Sequence, residues 1–195
     1  MPPKPKITKE MIIDAGFHIA RTQGADKITA RNISQQLNCS TQPVLYYFAS
    51  VEEIKKAVYQ AVDEYHSGYI MNMEKDYGNP MLTIGMNYIR FAIEESNLFQ
   101  FLFQSNEFTE TGIMELVQQE DVAPVITILQ EATGTSTESA KEIFTTLFIF
   151  AHGYASMFAN NEMTYDEAEI RDKLEKVFRG AIYVEKENKH AENNI

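Results

Sequence analysis

Apolar residues in this chain recur at spacings of three and four, each run opens on a residue able to cap a helix, and no run alternates with the period of a strand. Together these restrict the chain to an all-helical fold. Ile12, Ala15, Gly16, Ile19 and Ala20, flanked by Ile13 and Phe17, predict a helix over about 8–23, with Gly24 as a left-handed C-cap. Thr29 caps a second helix, Ile28 and Ile33 stapling its start; Ile33 and Leu37 form its buried side, and Asn38 ends it. Ser40 is expected to cap a third helix, Thr41 to Tyr47, where Pro43 sits harmlessly in the first turn. Ser50 and Glu53 form a capping box opening a fourth helix, expected over 50–73, with Ile54, Ala57, Val58, Ala61, Val62 and Tyr65 inward.

The helical pattern continues to the end. Asn79 and Pro80 read as N-cap and N1 of a helix carrying Met86, Ile89 and Ile93, and Asn97 to Gln104 is short and aromatic. Breaks fall around Ser105 to Gly112, at Pro124 and at Thr133 to Thr137. Thr135 and Glu138 suggest a capping box before a helix with Ile143, Phe144, Leu147, Phe148, Ala151, Tyr154, Ala155 and Phe158, which is apolar around most of its circumference and so is expected to be buried on several sides. Thr164 and Glu167 are expected to cap a last helix with Ile170, Leu174, Val177, Phe178, Ala181 and Ile182, and the polar tail after Val184 to fray. About nine helices result, in an N-terminal domain of residues 1–50 and a larger helical bundle of residues 51–195, with the fourth helix as connector.

Composition narrows the function. Cys39 is the single cysteine among 195 residues, so no internal disulfide forms and no structural zinc set exists; it reads as a packed turn residue, with a redox switch as the alternative. The charged N-terminus lacks an apolar signal core and no run approaches membrane-spanning length, so a soluble cytoplasmic protein with no membrane partner is expected. No Gly-rich phosphate loop, metal cluster or nucleophile–base pairing is evident, so neither catalysis nor a cofactor is expected. The net charge of −11 disfavours nucleic acid, yet residues 1–56 hold 8 Lys and Arg against 5 Asp and Glu, while the remainder holds 9 against 23. A basic front end suits an anion-binding module; unequal solvated faces give the same asymmetry.

The second and third predicted helices have the spacing of a helix-turn-helix, whose second helix enters the major groove of double-stranded DNA. Thr41 and Gln42 then take base-reading positions: Gln suits an adenine edge, and Thr and Pro43 suit a thymine methyl group. Thr29, Arg31, Ser40, Tyr46, Tyr47 and Lys55 complete the candidate DNA-contacting set, the hydroxyls and Lys55 suiting phosphates. An ordinary helical corner with packing side chains is the plain alternative, and a helical protein-interaction adaptor the competing function.

Residues 8–58 resemble the TetR family of transcriptional regulators throughout, from Ile12 to Gly24, through Ile28-Thr29-Ala30-Arg31-Asn32-Ile33 and Leu37-Asn38-Cys39-Ser40, to Thr41-Gln42-Pro43 and Phe48-Ala49-Ser50-Val51-Glu52-Glu53-Ile54. Leu45 followed by Tyr46, and Val51, depart from the family's common pattern. The resemblance implies a dimer binding operator DNA through its first three helices, as a repressor whose C-terminal domain releases DNA when a small effector binds. An apolar face on the last two helices fits a homodimer interface or, alternatively, the domain's own core. The effector is not named by the sequence. Met86, Arg90, Phe103, Phe148 and His152 are candidate pocket residues, within a wider set of Phe99, Phe101, Phe108, Met114, Phe150 and Tyr154 in which core packing is the plain reading.

Overall fold

The computed structural model describes residues 7–104 and 122–192, with the side chains of the last helix described to residue 188. Every regular element among them is helical: α1 (Lys9–Gln23), a 3₁₀ turn (Ala25–Lys27), α2 (Ala30–Gln36), α3 (Gln42–Tyr47), α4 (Val51–Ile70), α5 (Pro80–Glu94), α6 (Ser96–Phe103), α7 (Ala123–Thr133), α8 (Thr137–Asn160) and α9 (Glu167–Glu192). The all-α class and the nine-helix count among described residues match the expectation. Phe108, Met114 and the break at 105–112 lie outside the described residues. None of the described helices is long and apolar enough to cross a membrane.

Two compact units emerge. The first comprises the described residues up to Gly68 together with those from Glu94 through α6; the second comprises Tyr69–Ile93 with α7, α8 and α9. This division differs from one at residue 50, because α6 packs on α1 and most of α4 groups with the first three helices.

In the first unit Ile12, Ile19, Ile28, Ile33, Val44, Ile54, Val58, Val62, Leu98 and Leu102 are wholly buried. Helices α1 and α4 cross closely at Gly16, where an added Cβ would lie 2.5 Å from Val58 Cγ2, inside van der Waals contact with a β-branched side chain that has little rotamer freedom. A polar network joins α1, α4 and the start of α6. Glu95, 7% exposed, receives both Arg21 Nε (2.7 Å) and Arg21 Nη2, and its Oε1 accepts from the Tyr65 hydroxyl at 3.1 Å. Asn97 Nδ2 donates to the Arg21 carbonyl at 2.9 Å, and the guanidinium lies over the Tyr65 ring.

In the second unit α5 is the helix buried around most of its circumference, from Met81 to Ala92. The expectation for α8 is corrected: Ala140, Ile143, Leu147, Ala151 and Ala155 form one buried stripe, while Ile149 (51% exposed) and Met157 (48%) face outward. Among the described residues α7 and α9 pack on α8, and Tyr88 of α5 meets its Phe148 and His152. Helix α9 does not stop at Val184; it continues through the helix-favouring Glu185-Lys186-Glu187.

The expected caps of Thr29, Ser50 and Asn79 form, and Thr8 caps α1: each side-chain oxygen accepts from an amide two or three residues on. The Glu53 carboxylate returns to the Ala49 amide at 2.8 Å. Four others are corrected. Ser136, rather than Thr135, caps α8 by accepting from Ser139 N at 3.3 Å; Asp166, rather than Thr164, caps α9 by accepting from Glu169 N at 3.0 Å. No side-chain cap bond opens α3, where Thr41 rather than Ser40 holds the cap position. Gly24 has a positive φ of 91° but a ψ of 158°, which is not left-handed helical. That conformation is open only to glycine and turns the chain into the 3₁₀ segment.

Two stability predictions follow from the first unit. Arg21→Ala strands the Glu95 carboxylate in a site where only Tyr65 remains to solvate it. Because Arg21 is itself 46% exposed, the loss is expected near about 2 kcal/mol, below the range for fully buried pairs. Urea unfolding checks it, and a change under about 0.5 kcal/mol would show the pair to be incidental. Burial on α4, with the Phe103 ring 5.2 Å away, pushes the His66 pKa down to about 4 from 6.5. Between those values the unfolded chain holds a proton that the folded chain refuses, so folding stability is complete above pH 6.5 and falls as pH drops toward 4, by about 3 kcal/mol in total. His66→Gln should flatten the measured stability between pH 7 and 4; a slope equal to that of the parent protein contradicts the assignment.

Candidate functional site

The corner between α2 and α3 is built by local backbone chemistry. Thr29 Oγ1 accepts from Asn32 N at 3.1 Å, and Asn32 Nδ2 donates to the Lys27 carbonyl at 2.8 Å, fastening the 3₁₀ turn to the start of α2. At the other end Asn38 has φ of 50°, its N–H reaches the Gln35 carbonyl at 3.2 Å, and the Cys39 N–H reaches Ser34 at 2.9 Å. That pair of bonds around one left-handed residue is a Schellman stop, which ends α2 abruptly and leaves room for α3 a few residues later. Cys39 is half-buried in this turn.

Val44 (0% exposed) and Phe48 (4%) anchor α3 and its end in the first unit's core, one turn apart. Their burial turns Leu45 (56% exposed) and Tyr46 (81%), which lie between them, outward, and Thr41 and Gln42 before them are exposed as well. Pro43 and Tyr47 are half-buried, and the Tyr46 and Tyr47 rings meet edge to face at 5.1 Å. Ser40 and Arg31 are exposed and Lys55 is half-buried on the next helix. Sequence reasoning treated Leu45 only as the hydrophobic residue of this helix. The signal for its exposure was present, because Val44 and Phe48 share a face at i and i+4 and Leu45 is off it.

The candidate pocket residues do not gather in one place. Phe103 belongs to the first unit, 5.0 Å from Phe99 and beside His66. The others lie in the second unit. There Met86 is wholly buried as core. Phe148 and His152 stack along α8 at 5.6 Å, continuing a ladder from Phe144, and the His152 ring bridges the Tyr88 hydroxyl (Nδ1, 2.9 Å) and Ser156 Oγ (Nε2, 3.2 Å). Burial lowers the His152 pKa and raises that of Tyr88, so at neutral pH this chain is held as uncharged donors and acceptors. Phe150, Tyr154 and Phe158 form a second aromatic ladder on α8, 5.2 and 6.3 Å between neighbours. Arg90 instead lines a polar cleft of about 250 Å³ with Tyr69, Asn72, Glu74, Lys75 and Asn87. Among the described residues no group of three or more His, Cys, Asp or Glu side chains is placed to hold a metal ion.

No family model matches the chain, and no curated protein matches it.

Proposed function

We propose that the protein is a DNA-binding transcriptional regulator of the TetR kind, binding operator DNA as a homodimer and answering to a small effector held by its second unit. The observation that carries this reading is the exposure of Thr41, Gln42, Leu45 and Tyr46 on a six-residue helix that is fixed from beneath by Val44 and Phe48. A helix so short gains little stability by itself, and a large apolar side chain left 56% in water beside a tyrosine left 81% in water adds nothing to the core. Those side chains suit base edges, with Gln42 on adenine and Leu45 or Pro43 on a thymine methyl group. Exposed Arg31, Lys55 on α4 and the Tyr46 hydroxyl suit phosphate oxygens. The acidic remainder of the chain, repelled by the same phosphates, leaves the basic front end as the DNA-facing part.

For the dimer, the supporting observation is the outward apolar face of the second unit's last helices, Ile149 and Met157 on α8 with Tyr183 and Val184 on α9. A two-fold partner presenting the same face would cover it and set two recognition helices one DNA turn apart. Helix α4 then links the sensing and DNA-binding parts, since its residues 51–68 belong to the first unit and 69–70 to the second.

Two measurements test the reading. Fluorescence anisotropy on DNA from the gene's own upstream region is expected to show tight, salt-sensitive binding, weakened about tenfold or more in Gln42→Ala/Tyr46→Ala. Absence of any sequence preference at low salt points to a helical adaptor instead. Sedimentation velocity is expected to give a dimer that Ile149→Glu/Met157→Glu converts to a folded monomer; an unchanged mass removes α8 from the interface.

A further inference from the structure

Among the described residues of the first unit, the large apolar side chains left in water are Leu45 and Tyr46, and both stand on α3. Helical spacing gathers them with exposed Thr41 and Gln42 on one face: Leu45 follows Thr41 by four residues and Gln42 by three, and Tyr46 follows Gln42 by four. Val44 and Phe48 seat the opposite side of the helix in the core, so the depth at which this face is presented is fixed. Three residues of helix rise about 4.5 Å, close to the spacing of about 3.4 Å between stacked base pairs. Gln42 and Leu45 therefore reach neighbouring pairs when α3 lies in the major groove.

We propose that Leu45 reads a thymine 5-methyl group and that the operator half-site is built on adjacent A·T pairs, with Gln42 on the adenine edge of one and Leu45 on the thymine methyl of its neighbour. Leu45 has no donor or acceptor, so neither a phosphate nor a polar base edge offers it anything, and it gains only from apolar contact. On the major-groove edges of unmodified base pairs the apolar group is the thymine methyl. Guanine lacks its usual reader on this helix. Between Arg31 and Lys55 the sequence carries no Lys or Arg, so α3 has none of the cations that bond guanine O6 and N7. Arg31 itself lies in the first turn of α2, the helix that crosses the sugar-phosphate backbone in such a motif, and there its charge serves affinity without reading sequence. Pro43 is half-buried, which leaves Leu45 as the principal apolar contact.

This rests on the regulator reading and deepens it by naming the kind of sequence bound. The test takes the full-length protein and a pool of random-sequence DNA duplexes, enriched by successive rounds of binding. The selected half-site is expected to hold adjacent A·T pairs at its core. Each thymine of the selected duplex is then replaced in turn by deoxyuridine, which keeps the pairing and removes only the methyl group. At one thymine of each half-site the affinity measured by anisotropy is expected to fall about fourfold, the share of one buried methyl group. Leu45→Ala should bind the thymine and uracil duplexes alike at that position, and its melting temperature, little changed for a side chain already 56% exposed, reports that it is folded. A selected core of G·C pairs, or uracil duplexes that the parent protein binds as tightly as thymine ones, overturns the proposal and leaves the regulator reading standing. A uracil penalty of equal size in Leu45→Ala assigns the effect to DNA shape and overturns it as well. A pool from which no sequence is enriched removes the regulator reading and this inference with it.

Discussion

A buried carboxylate has to be answered within the fold, and in the first unit Glu95 is that group. It begins α6, it is met by two guanidinium nitrogens from α1 and a phenol from α4, and no simple rearrangement of one helix would satisfy it without abandoning the other two. An apolar contact tolerates sliding by fractions of a turn; a bidentate ion pair in a water-poor site does not. The α2–α3 corner stands on α1 and on the core beneath it, so the presentation of Gln42 and Tyr46 inherits whatever precision this network confers. Gly16 adds a steric condition to the polar one, since α1 and α4 approach closely enough at Val58 that no side chain fits between them.

How far these features can be read in a sequence follows from the range of the interactions involved. The stop at Asn38, the cap at Thr29, the box of Ser50 and Glu53 and the Asn79-Pro80 start are settled within five residues, and all were legible. Capping misreads at Thr135 and Thr164 are of the same local kind, where a neighbouring Ser136 or Asp166 offered an equally good oxygen one or two residues on. The Arg21–Glu95 pair spans 74 positions and carries no local mark. Apolar periodicity placed α8 as a core helix because the pattern counts apolar residues without saying which are covered; Ile149 and Met157 are left exposed. For the candidate site, the exposed positions of α3 were largely legible and the pocket was not, because Met86 is core of the second unit, Phe103 packs within the first and Arg90 lines a polar cleft.

Charge is apportioned in the same spirit. Arg21 contributes to the basic count of the front end yet is committed to Glu95, so the cations left for an external anion are fewer than composition suggests. On α9 the reverse holds: Lys173, Lys176 and Arg179 are each matched by an acid one turn earlier, which supports the helix and leaves its long exposed side close to neutral locally despite the acidic total.

Helix α4 crosses the boundary between the two units. Twenty residues at 1.5 Å each make a rod of about 30 Å, opened by a reciprocal capping box and free of proline, so bending it is costly compared with shifting it whole. Its first residues follow the α2–α3 corner directly and its last, Tyr69 and Ile70, are met by Phe91 and by the Asn87 amide. In the proposed regulator, an effector held by the second unit would act on an element that reaches the other unit through the chain itself. Coupling then needs only that the ligand favour one setting of α4 over another, and its strength is limited by that difference in affinity, not by how tightly the ligand binds.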